Sequence, residues 1–319
     1  MTRREILNRH KSSLRGRLRG CLLQSQALGF RKPFYVYEPP GLSDLDICPS
    51  LYLFRGHERE WVNFNEDSSR TQSTAIEDID KAISLGMIPP MLVVMPGLNS
   101  ANNHVPSLGI NMVGTWPETQ RGLGSGKYWD FLTAELIPAI VARYPNANGQ
   151  RLAAGFSLGG FTSSLLGIHK PGMFDQIGIY DGLFMWPKHN DPRQKEHPEQ
   201  KNMGNDSVWT RGALFHAAFD NPRNVGAMNF WNPTDRLMAV DIQELSIMRN
   251  TKWWISCAVS DGQHGNRDRT EFYQQLLTDK GISLGFDEVL FHEDASHSWH
   301  WADKFLISFL SGVFSSEAH

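Results

Sequence analysis

The chain has 319 residues, of which 40% are hydrophobic and 20% are charged, and its formal net charge is −3. This composition is typical of a globular protein that can bury a large core in one domain. Because the charges are balanced and no long run is basic, nucleic acid is excluded as an implied partner. No stretch is apolar enough over the length needed to predict a membrane span. Three widely spaced cysteines, Cys21, Cys48 and Cys257, predict reduced, mostly buried thiols and a cytoplasmic location, with a mature secreted chain as the alternative.

Short apolar runs alternate with helical periodicity through the first half of the chain. The predicted elements are a polar arm or short helix at 1–13, strands at 14–24, 32–37 and 51–54, a helix at 73–85, a strand at 91–95, a polar loop at 98–127 and a helix at 128–144. We expect the first two strands to pair antiparallel. Pro138 should kink the last of these helices because proline has no N–H to donate.

The same alternation continues through the second half, with one interruption. The predicted elements are a strand at 151–155, a helix at 161–169, a strand at 176–180, an aromatic-rich insertion at 182–250 that partly caps the strand ends, strands at 253–259 and 286–291, and helices at 270–280 and 302–310. Strands that alternate with helices indicate a mostly parallel sheet with helices on both faces. We therefore predict a single α/β domain over residues 1–319.

One motif organises this pattern, Gly155-Phe156-Ser157-Leu158-Gly159 at the end of a predicted strand. Gly-x-Ser-x-Gly between a strand and a helix is typical of the nucleophile elbow of an α/β-hydrolase. The flanking glycines suit the close backbone approach of such a turn. The pattern is weak by itself in a glycine-rich chain, so the interpretation depends on finding the serine's partners.

A serine nucleophile needs a base and an acid that orients the base. In this fold the order along the chain is serine, acid, histidine. Asp261, after the strand at 253–259, and His297, after the strand at 286–291, fit that order and complete a triad with Ser157. Asp268 remains an alternative acid.

The oxyanion hole is expected to use the backbone N–H of Leu158, the residue after the nucleophile. The second donor should come from the loop after an earlier strand, and we assign it to the N–H of His57. A metal site is not predicted, because His292-Glu293-x-x-x-His297 misses the His-Glu-x-x-His spacing by one residue. No cofactor is implied.

These stretches resemble the "Putative esterase" family of α/β-hydrolases, the esterase D group, which includes feruloyl esterases, S-formylglutathione hydrolases and antigen 85 mycolyltransferases. The matching segments are 34–41, 51–56 with Trp61, 93–97, 128–145, 155–160 and 253–261, and His297 with Trp299 and Trp301. By this resemblance Ser157, Asp261 and His297 form the triad. The chain departs from many relatives at Arg55-Gly56, where they have His-Gly.

The predicted function is hydrolysis of a small-molecule carboxylic ester through an acyl-enzyme. Trp186, Trp231 and Trp299 are candidates for lining the substrate pocket, although aromatic side chains more often pack in the core. Two alternatives stay open: an acyltransferase that uses the same triad, and a non-catalytic binding protein on a hydrolase scaffold.

Overall fold

A seven-stranded sheet forms the centre of the chain in a computed structural model, which describes residues 1–66, 69–70, 73–114, 122–188, 212–259 and 266–315. The strands are β1 (Arg17–Gln24), β2 (Arg31–Glu38), β3 (Ser50–Phe54), β4 (Leu92–Pro96), β5 (Arg151–Phe156), β6 (Gln176–Tyr180) and β7 (Lys252–Ser256). Their order across the sheet is β1-β2-β4-β3-β5-β6-β7. β1 and β2 pair antiparallel, as predicted, and β3 to β7 run parallel. The carboxyl ends of β3, β5 and β6 therefore meet at one edge of the sheet.

Both faces of this sheet are buried. Successive strand residues point to opposite faces, so Tyr52 packs in one hydrophobic cluster and Leu53 in the other. Trp253 and Trp254 divide between the two clusters in the same way. A parallel sheet that is covered on both faces explains why the strands read as continuous apolar runs instead of alternating ones.

Helices cover the two faces. They are α1 (Arg3–Ser13), α2 (Ala75–Ser84), α3 (Tyr128–Asp130), α4 (Ile137–Arg143), α5 (Leu158–His169), α6 (Gly212–Phe219), α7 (Val225–Trp231), α8 (Pro233–Met238), α9 (Ile242–Met248), α10 (Asn266–Asp279) and α11 (Trp299–Ser315). No helix among the described residues is of sufficient length and hydrophobicity to cross a membrane.

Of the two forms predicted for residues 1–13, a polar arm or a short helix, the structure shows the helix, and the helix predicted at 128–144 is irregular in its first half. The N-terminal segment is a helix with a Thr2–Glu5 capping box, and it buries Ile6 against the sheet. A π-helical segment, Phe131–Leu136, joins α3 to α4 directly before Pro138. Proline has no N–H to donate, so Pro138 cannot make the backbone hydrogen bond of a regular α-helix. The wider π-helical turn before it tolerates this missing bond, and the chain continues as a helix to Arg143.

The strand predicted at 286–291 is wrong as a continuous element. Only isolated bridges connect this segment to β7, from Trp253 to Leu284 and from Cys257 to Leu290. Asp287 and Glu288 interrupt the apolar run and favour a loop. β7 itself ends at Ser256, three residues before its predicted end.

Within the predicted insertion, the described residues fold into α6 to α9. The side chains of Asn232 and Thr234 donate hydrogen bonds to the carbonyls of Trp186 and Met185, at 2.9 and 2.7 Å. These bonds fix α8 to the segment that leaves β6. That segment begins at the carboxyl end of β6, next to the end of β5.

Candidate active site

Ser157 lies at a strained turn between β5 and α5. Its backbone angles are φ 56° and ψ −115°, a region that a residue with a side chain rarely adopts. Two hydrogen bonds hold the turn: the Ser157 N–H donates to Tyr180 O at 3.2 Å, and the Leu183 N–H donates to Ser157 O at 3.0 Å. The elbow predicted from the sequence is therefore present, with the serine at the carboxyl edge of the sheet.

The two glycines of the motif are required by close backbone packing. A Cβ atom at Gly155 would lie 2.1 Å from Gly159 O, and one at Gly159 would lie 1.8 Å from Phe54 O. Both distances are far below any non-bonded contact, and both neighbours are backbone atoms that cannot turn away. The motif therefore serves a structural need as well as presenting the serine.

His297 lies on the loop before α11, beside the elbow. Its ring centroid is 4.7 Å from that of Phe156, the residue before the nucleophile. The Tyr180 hydroxyl donates to Ser296 O at 2.7 Å, and the Val259 N–H donates to Ala295 O at 2.9 Å. These bonds fix the histidine loop to the ends of β6 and β7.

The carboxylate at His297 belongs to Asp181, which sequence reasoning did not single out. Asp181 follows β6 directly, is 1% exposed, and its Oδ2 contacts His297 Nδ1. A carboxylate can only accept, so Nδ1 carries the proton of this hydrogen bond. Asp261 lies outside the described residues, while Asp268 is exposed in the first turn of α10.

The loop after β3 contains the predicted second oxyanion donor, and a carboxylate already binds there. The N–H groups of Gly56 and His57 both donate to Glu60 Oε2, at 2.6 and 2.7 Å. Two consecutive N–H groups that converge on one oxygen form an anion-binding nest. In this conformation the His57 N–H is thus engaged by a side chain of the protein.

A group of metal-ligand type, His57, Glu60 and Glu66, lies in the same loop within the described part of the chain. Burial lowers the pKa of His57, but its 2.7 Å contact with Glu66 and the charge of Glu60 more than offset this, so the pKa is raised. Arg55 Nε lies 3.7 Å from Glu60 Oε1. The contact of His57 with Glu66 and the nearby guanidinium of Arg55 favour a network of ion pairs over a bound cation.

The three candidate pocket tryptophans contact other rings of the protein. Trp186 packs against Phe272 at 5.4 Å, and Trp231 against Trp129 at 5.4 Å. Trp299 is 2% exposed and lies 5.0 Å from the Trp61 ring. These contacts favour a packing role, and a role in substrate binding stays a prediction.

The sequence profile of the family described as "Putative esterase" matches residues 25–305. The match covers most of the chain, from β2 to the middle of α11. The chain belongs to this esterase family. Membership supports hydrolysis of carboxylic esters as its activity. Among curated protein sequences, none matches the chain.

Several solved structures share this fold at low sequence identity. A ferulic acid esterase is 18% identical with a TM-score of 0.63, over 93% of this chain and 97% of its own. The S-formylglutathione hydrolase of Agrobacterium tumefaciens is 15% identical with a TM-score of 0.61, over 95% of both chains. The fluorophosphonate-binding serine hydrolase F of Staphylococcus aureus is 16% identical with a TM-score of 0.62, over 93% of this chain and 98% of its own. These similarities establish the α/β-hydrolase fold.

Proposed function

We propose that the chain hydrolyses carboxylic esters through an acyl-enzyme on Ser157, with His297 as general base and Asp181 as the acid that orients it. The observation that carries the proposal is that a strained serine and a part-buried His–Asp contact lie at the same edge of the sheet. Burying a carboxylate costs free energy unless it is paired. The burial of Asp181, which is 1% exposed, therefore supports a functional pairing with His297.

Each residue has a defined role in the proposed reaction. Ser157 Oγ attacks the acyl carbonyl, and its proton moves to Nε2 of His297, since Nδ1 is bonded to Asp181. The tetrahedral intermediate collapses as the C–O bond to the alcohol breaks and the proton passes to the leaving oxygen. Water then attacks the acyl-enzyme with the same base, releasing the acid and restoring Ser157.

Asp181 takes the role that the sequence assigned to Asp261. It also satisfies the order serine, acid, histidine, because β6 lies between the elbow and the histidine loop. Its position beside β5 in the sheet brings it close to the nucleophile.

The proposed oxyanion donors are the N–H of Leu158, at the first position of α5, and the N–H of His57. The nest after β3 is suited to a negative oxygen, since it already binds the oxygen of Glu60. We infer that Glu60 must give up the His57 N–H when a substrate oxyanion forms.

Labelling with a fluorophosphonate probe tests the proposal. We expect wild-type protein to be labelled once, and the label to be lost in Ser157→Ala. Ser163→Ala is the matched control, because Ser163 is a buried serine of α5 outside the proposed chemistry. Hydrolysis of p-nitrophenyl esters of graded chain length then measures the acyl preference. A folded wild type that neither labels nor turns over any ester would overturn the proposal.

A further inference from the structure

Arg55 stands beside the nucleophile elbow. It follows β3, whose last residue pairs in register with Gly155 of the motif. Its guanidinium carbon lies 5.1 Å from the ring centroid of Phe156 and 5.9 Å from that of Trp299. The side chain is 19% exposed, so it is mostly enclosed but retains access to solvent at the site.

The hydrogen-bonding capacity of this guanidinium is unused. Arg55 donates no hydrogen bond to any residue that the structure describes, and its Nε is buried without a hydrogen-bond partner. Glu60 is a nearby carboxylate, but the 3.7 Å between Nε and Oε1 is too long for a hydrogen bond. The other oxygen of Glu60 accepts from backbone N–H groups. The charge of Arg55 is therefore partly balanced by Glu60, while its hydrogen-bond donors have no acceptor among the described residues.

A neighbouring arginine shows that complete compensation is available in the same region. Arg70 lies over the same Trp299 ring, at 4.4 Å. It donates to both oxygens of Asp303, at 3.0 and 3.2 Å, and to the carbonyls of Glu60 and Asn63, at 2.7 and 2.9 Å. Arg55, which lies over the same ring, has no such set of acceptors among the residues that the structure describes.

We propose that Arg55 is a specificity-determining residue that binds an anionic group, a carboxylate or a phosphate, of the ester substrate. The inference rests on the proposed esterase function of Ser157. A planar guanidinium matches such oxyanions with two parallel hydrogen bonds, and it is strongest where water is largely excluded. Buried polar groups are nearly always satisfied, so donors left open beside a nucleophile indicate a ligand that completes them. The preferred substrates are then esters that carry a negative charge close to the scissile carbonyl.

Pairs of charged and neutral esters of similar structure test this specificity. In the alcohol part, 4-acetoxybenzoate and 4-acetoxyphenyl phosphate are compared with neutral methyl 4-acetoxybenzoate. In the acyl part, p-nitrophenyl hemisuccinate is compared with p-nitrophenyl methyl succinate. We expect wild type to favour at least one charged ester over its neutral match by about 10- to 100-fold in kcat/KM. The favoured ester identifies both the anion and the side of the scissile bond that carries it.

Three variants assign the preference to Arg55. Arg55→Met should lower kcat/KM for the charged ester by about 10- to 100-fold and change kcat/KM for the neutral match by less than about 3-fold. Arg55→Lys keeps the charge but not the paired donors, so its preference for the charged ester should lie between those of wild type and Arg55→Met. Arg143→Met, which removes an exposed positive charge at the end of α4, should retain the wild-type preference.

Two results would overturn the inference. One is a wild type without preference for any charged ester. The other is an Arg55→Met variant that loses charged and neutral esters equally, which would assign Arg55 to packing against Phe156. Fluorophosphonate labelling of Ser157 separates these failures from failure of the proposed function, because it does not require a charged substrate. Melting temperatures of all variants verify that each is folded.

Discussion

The most informative substitution is Asp181→Asn, measured beside Asp261→Asn. Asparagine has the shape of aspartate and tolerates the positive φ of 43° at residue 181, so the backbone there should persist. The change removes a buried charge from His297 Nδ1 and offers an N–H in its place. That N–H favours the tautomer with the proton on Nε2, which cannot accept a proton from Ser157.

The expected loss is large because water cannot replace the missing charge at a residue that is 1% exposed. We expect kcat to fall by about 10³- to 10⁴-fold, or roughly 4–5.5 kcal/mol of transition-state stabilisation. Asp261→Asn should change kcat by less than about 3-fold. The assay is p-nitrophenyl acetate hydrolysis at saturating substrate, with melting temperatures as the control for folding. If Asp261→Asn loses the activity while Asp181→Asn retains it, the assignment of the acid is refuted.

Three further predictions test the fold and the site. Gly159→Ala would place a methyl group 1.8 Å from Phe54 O and should destabilise by more than about 3 kcal/mol in urea unfolding, whereas Gly226→Ala, which meets only an ordinary contact at 3.5 Å in α7, should be neutral or slightly stabilising. Burial and the charge of a nearby arginine lower the pKa of His169 to about 4, against 6.5 ordinarily, so the unfolded state binds more protons as pH falls below 6.5. The free energy of unfolding of wild type should fall by about 2 kcal/mol more than that of His169→Phe between pH 7 and pH 5. Equal falls in the two proteins would contradict a lowered pKa at His169. Glu60→Gln weakens the acceptor in the nest and should raise the rate of fluorophosphonate labelling by about 5-fold; a fall at unchanged melting temperature would indicate that the carboxylate instead holds the loop in its active shape.

The elbow and the sheet around it could be predicted because their sequence signals are short. The Gly155 and Gly159 positions of the motif are the ones where a Cβ atom would meet backbone oxygens, and the apolar strands are buried on both faces. The antiparallel start of the sheet was also predicted, since the two N-terminal strands are joined by a short connection. Patterns of this kind are formed by a few adjacent residues, so they can be recognised from the sequence alone.

The proposed acid, Asp181, could not be assigned in this way, because its contact with His297 joins residues 116 positions apart. A signal existed in Tyr180-Asp181-Gly182, an acid placed directly after an apolar strand. Two acids after two strands fitted the same order, and only the packing of the histidine loop favours one of them. The engagement of the His57 N–H by Glu60 was equally hidden, since a carboxylate three residues away is an ordinary feature of a turn.

The central claim is that Ser157 carries the acyl group during turnover. The most direct measurement is rapid quenching of wild-type protein with p-nitrophenyl acetate, followed by intact mass and peptide mass spectrometry. We predict a mass increase of one acetyl group, on the peptide that contains Ser157, and its absence in Ser157→Ala. Turnover of the ester with the acetyl group on another residue, or at an undiminished rate in Ser157→Ala, would contradict the account.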